Sequence, residues 1–109
     1  MPTTVPDGAV ERFYQSERAA LLADASITEK KMFGTTALCV GGKVFMFPWR
    51  GTLVVKIPAV QVDELIAAGH AERFDPGHGR TSATWAAVFA DASGHWPSLA
   101  RQARTFVQG

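Results

Sequence analysis

His70, His78, His95, Cys39 and the run Gly77-His78-Gly79-Arg80 are the residues of this chain that could ligate a metal, attack a carbonyl or hold an anion. A metal site wants ligands spaced to share one face, as at i and i+4 of a helix. No two of these histidines have that spacing. All three fall in loops or at element ends, where surface or capping positions are the ordinary reading. Cys39 would need a neighbouring base to lower its pKa before acting as a nucleophile. It stands between Leu38 and Val40 inside an apolar strand, which fits a small buried hydrophobe. The glycine-flanked run could turn backbone N–H groups toward one point, with Arg80 as a two-pronged donor and His78 as a titratable one. A surface turn in which Arg80 pairs with Asp75 explains the same residues and is favoured. No nucleophile elbow, P-loop or dinucleotide fingerprint is present. The residues therefore point to a protein that is not an enzyme and that needs neither metal nor cofactor.

Charge offers a second lead. The chain of 109 residues has a formal net charge of only +1, so no global field points to nucleic acid or membrane. Yet between Lys30 and Val62 lie five basic residues (Lys30, Lys31, Lys43, Arg50, Lys56) and no acidic one. Lysine and arginine at sheet edges and turn tips guard against aggregation, which is the plainer explanation. If the strands brought Lys31 and Lys56 beside Gly77, His78, Gly79 and Arg80, with Trp85 as an aromatic wall, the result would be an anion or nucleotide site. Phe45, Phe47 and Trp49 at period two resemble the stacking surface of a single-strand nucleic-acid binder, but no RNA-binding signature accompanies them.

The elements that must position these groups centre on residues 29 to 57, which read as three strands joined by tight turns at Gly41-Gly42 and Arg50-Gly51. The first strand covers 31 to 40, with a kink or bulge expected at Gly34. The second, 43 to 49, puts Phe45, Phe47 and Trp49 on one face and Val44, Met46 and Pro48 on the other. The third is 52 to 57. A helix from about residue 4 or 7 to 23 precedes them, opened by Thr4-Val5-Pro6-Asp7 and carrying a stripe of Val10, Phe13, Tyr14, Leu21 and Leu22. A second helix runs from Pro58 to Ala68, closed by Gly69. Two further strands, 71 to 74 and 84 to 90, lead to a last helix from Trp96-Pro97. The order is helix, three strands, helix, two strands, helix. That is an α+β two-layer sandwich, a mainly antiparallel five-stranded sheet with helices on one face, and one domain over 1 to 109.

Lys31-Met32-Phe33-Gly34, then Gly42-Lys43-Val44-Phe45, then Leu53-Val54-Val55-Lys56-Ile57 and Phe74-Asp75-Pro76-Gly77-His78-Gly79-Arg80, resemble the TfoX N-terminal domain family and, more distantly, YjbR/MmcQ-like proteins. The resemblance covers roughly residues 10 to 107. It departs at Thr81-Ser82-Ala83-Thr84, where family members often carry Pro-Met and a basic residue. It implies a sheet fold like that of bacterial secretion chaperones, and a link to the transcriptional and competence regulation exercised by longer members through an added carboxy-terminal domain. It supplies no catalytic residues.

One cysteine, no basic-then-apolar amino terminus and no long apolar run point to a cytoplasmic protein without a membrane segment. A regulatory module acting through protein contacts, with an unidentified protein partner and as a homodimer through Phe45, Phe47 and Trp49, is the leading expectation. Anion, nucleotide or nucleic-acid binding is the alternative.

Overall fold

Among the residues the structure describes, six strands, rather than five, make the sheet. A computed structural model describes residues 5–32, 34–74 and 83–109. Along the chain it gives α1 (Val5–Leu21), β1 (Ile27–Met32), β2 (Thr35–Val40), β3 (Lys43–Trp49), β4 (Thr52–Lys56), α2 (Ala59–Ala67), β5 (Ala71–Arg73), β6 (Trp85–Val88), a 3₁₀ turn (Ala90–His95) and α3 (Trp96–Gln108). The strands are ordered β1-β2-β3-β4-β6-β5, with every pairing antiparallel. The extra strand comes from Gly34. Expected as a kink, it has φ +77° and stands in the turn of a hairpin that pairs Ile27 with Val40 and Lys31 with Thr36. Only glycine takes that φ without strain, so the residue that looked like a flaw in one strand separates two.

The alternation expected for the second predicted strand is broken by a bulge. Leu38 pairs with Met46, but Cys39 pairs with Val44, so Phe45 is an extra residue on β3. Phe45 and Met46 consequently both face the helices, in a core with Leu38, Leu53, Val55, Ile57 and Val88. Val44, Phe47 and Trp49 share the other face. The expectation that Phe45 lies on the open face is thus corrected: one inserted residue shifts everything before it by half a period. The register with β2 stops at Met46, two residues before Pro48, which lacks the N–H a ladder needs.

All three helices pack on the Phe45–Met46 side. Val10 and Tyr14 of α1, Val62 of α2, and Trp96, Leu99, Ala100 and Ala103 of α3 are buried there. Among the described residues no helix lies on the other face, yet it is far from bare. Phe47, Val54 and Ala37 are fully buried within the single chain, and Ala87 nearly so, because Phe74 and the indoles of Trp49 and Trp85 lie around them.

Candidate functional site

The open face is organised by a line of four aromatic rings. Trp49 meets Phe74 edge-on at 5.4 Å between centroids, Phe74 meets Phe47 edge-on at 5.2 Å, and Phe47 meets Trp85 at 5.7 Å. Offset and edge-to-face contacts of this kind favour a fixed arrangement beyond the area they bury. The two inner rings are buried and the two outer indoles are half-buried. Each outer ring carries a cation. The Arg50 guanidinium lies 4.9 Å over Trp49, and the Lys56 ammonium lies 5.5 Å over Trp85. On β4 the partners of Trp49 and Trp85 are Thr52 and Lys56, four residues apart, so the two cation-bearing indoles stand about 13 Å apart along the strand.

Local backbone chemistry places Arg50. It occupies the tip of the β3–β4 hairpin with Gly51, and has φ +49° followed by +81°, which is the left-handed pair a two-residue turn requires. Thr52 donates its hydroxyl to the Trp49 carbonyl at 2.6 Å and closes the turn. Asn or Gly would suit the Arg50 position better; Arg50 is the one non-glycine residue with positive φ among the described residues. A hollow of about 260 Å³ opens beside it, walled by Trp49, Arg50, Glu72, Arg73 and Phe74.

The residues expected to form one anion site are not brought together. Gly77, His78, Gly79 and Arg80 lie outside the described residues. Lys31 pairs with Thr36, whose side chain bonds Tyr14 on the helix face. Lys56 lies on the open face at the opposite end of the strands, with Trp85. Cys39 is buried, and burial pushes its thiol pKa up, away from the thiolate a nucleophile needs. Among the described residues no three His, Cys, Asp or Glu side chains cluster as a metal site. His70 and His95, remote in sequence, do meet, with ring planes tilted by 43° and centroids 4.9 Å apart. Only the tertiary fold could reveal that contact.

Sequence reasoning also missed the polar tie between α1 and the sheet. Glu29 of β1 accepts from Arg18 at 2.7 Å and from the Tyr14 hydroxyl at 3.1 Å. The Arg18 bond, more than the Tyr14 bond, holds the Glu29 carboxyl below its ordinary pKa; burial raises the pKa of the Tyr14 phenol. Asp24, at the α1–β1 connection, accepts from the Ser26 backbone N–H and hydroxyl and from Arg104 of α3, which lowers its pKa to about 2. Both carboxylates are depressed, so their contributions are complete above the ordinary carboxylate pKa and are lost as pH falls through the folded values. Tm should therefore decline from about pH 4 toward pH 2. Asp24→Asn should flatten the lower part of that decline, and an unchanged profile would show that its bonds are not maintained in solution.

On the opposite side, α2 and α3 leave a groove of about 460 Å³ lined by Pro58, Gln61, Arg101, Gln102 and Phe106 among others. Gln61 and Gln102 bond across it, which fixes the spacing of the two helices. No described helix is long and apolar enough to cross a membrane.

The family model of the TfoX N-terminal domain matches residues 19–108. That span takes in every strand, α2 and α3, and the chain belongs to this family. No curated protein and no solved structure gives a match.

Proposed function

We propose that this TfoX N-terminal domain acts without catalysis, as a regulatory contact module whose open sheet face docks an acidic, partly apolar protein segment. The observation that carries this reading is the aromatic line capped at each end by a cation. Trp and Arg are the residues interfaces favour at their energetic centres, and cations at the rim select an acidic partner. The cation at the hairpin tip adds support, because a left-handed Arg is costly to the fold and gains a reason if its guanidinium is used. The transcriptional and competence regulation that the family resemblance implies would be exercised through this contact.

Two rival occupants would use the same face. Tracking a nucleic-acid backbone takes many cations, whereas Lys30, Arg50 and Lys56 here share the face with Glu72. The homodimer expectation rests on Phe45, Phe47 and Trp49 all needing cover. Phe45 and Phe47 are fully buried in one chain, so the face offers a second copy less apolar area.

Arg50→Asn separates fold from function. Asn accepts the left-handed turn better than Arg, so Tm should hold or rise slightly. Tryptophan fluorescence should report binding of a soluble peptide of glutamates with leucine at every third position, and the variant should weaken it roughly tenfold. Tighter binding of an oligothymidylate of equal charge would favour the nucleic-acid reading. A light-scattering mass of twice 11.7 kDa with no peptide binding would favour the dimer.

A further inference from the structure

The end of the sheet away from the Arg50 hairpin carries a second cavity, at the margin between the open face and α3. Where β3 begins and β4 finishes, the last turn of α3 closes a cavity of about 360 Å³ lined by Lys43, Val44, Lys56, Trp85, Phe106 and Val107. Two ammonium groups and no carboxylate line it. Its apolar walls are an indole and a phenyl ring, and Phe106, at 39% exposure, is one of only two large exposed hydrophobic side chains among the described residues. An exposed phenyl, a half-buried indole and two lysines thus line one hollow.

We infer that this cavity binds a mononucleotide, its base held between Trp85 and Phe106 and its phosphate between Lys43 and Lys56. The volume lies near the lower limit for small-molecule sites, enough for one ring system and one anionic group but too little for a dinucleotide. Two lysines match a phosphomonoester, which carries nearly two negative charges at neutral pH. Lysine meets such a group as a point charge without needing fixed geometry, which suits exposed and half-buried side chains. Stacking on an aromatic wall tolerates any base, so the site selects the class and not the sequence. At present Lys56 lies over the Trp85 ring. A base would take that position, and the ammonium would move to the phosphate. Trp85 and Lys56 also end the docking line, but Lys43 and Phe106 stand outside it, as Arg50 stands outside this cavity. Variants at Lys43 and Arg50 therefore distinguish failure of this inference from failure of the docking reading.

Titration of the full chain with AMP, adenosine and inorganic phosphate at constant ionic strength, followed by tryptophan fluorescence, tests it. AMP should quench saturably, and adenosine and phosphate should each bind about tenfold more weakly, having lost one half of the contacts. Lys43→Gln, an exposed position where folding is not at risk, should weaken AMP several-fold, as should Lys56→Gln. Trp85→Phe should keep AMP binding, measured by equilibrium dialysis, while removing most of the quench. Arg50→Asn should leave AMP binding unchanged. The inference is overturned if AMP gives no saturable response, if Lys43→Gln binds it like the parent chain, or if phosphate or adenosine alone binds as tightly.

Discussion

Phe47→Glu should unfold the chain. Phe47 has no exposed surface and lies between Phe74 and Trp85, on the face away from the described helices. Truncation of such a ring to alanine costs about 3–5 kcal/mol from lost burial and the cavity left behind. Glutamate adds an unpaired charge in an apolar cluster, so it must take up a proton or reach water by breaking the aromatic line. A domain of this size has about 5–15 kcal/mol of stability in all, and the combined loss consumes most or all of it. Far-ultraviolet circular dichroism at neutral pH should show an unfolded chain, with native signal returning, if at all, only as the pH drops and the carboxylate protonates. A folded Phe47→Glu variant would mean that Phe47 faces solvent or another molecule, as an interface residue would.

Phe45→Ala should lose about 3–5 kcal/mol, while Val44→Ala, next to it in sequence, should lose under about 1 kcal/mol. The contrast follows from the bulge, which turns Phe45 into the helix-covered core with Met46 and leaves Val44 half-buried on the open face. Urea unfolding of the two variants measures both losses. Similar losses at the two positions would contradict the inserted residue and restore plain alternation.

The hairpins at Gly41-Gly42 and Arg50-Gly51 were legible because tight turns demand particular φ values that few residues accept. The last two helices were legible because proline and glycine mark their limits. Phe45 was not, since nothing in the run Val44-Phe45-Met46-Phe47 distinguishes a bulge residue from its neighbours: all four are large and apolar. Gly34 was ambiguous for a related reason, as glycine serves kinks and turns alike, and the pairing of Lys31 with Thr36 decides between them. At the candidate site, Trp49, Lys56 and Trp85 could be picked out by type, but not the partners that give them meaning. Phe74 joins Trp49 and Phe47 only once β5 lies beside β6. Lys31 and Lys56 looked like companions in a basic stretch, and an antiparallel sheet sends them to opposite faces and opposite ends. The Tyr14–Glu29–Arg18 tie joins α1 to the strand that follows it, a contact that side-chain periodicity does not encode.

The docking claim is tested most directly by amide and indole chemical-shift mapping of the isotope-labelled chain during titration with the glutamate–leucine peptide. The largest shifts should fall on the Trp49 indole N–H and on the backbone of Arg50, Gly51 and Thr52, with smaller ones at Trp85 and none along α1. Shifts centred instead on Gln61, Ser98, Gln102 and Phe106, the groove between α2 and α3, would contradict the claim and move the contact surface to the helical side.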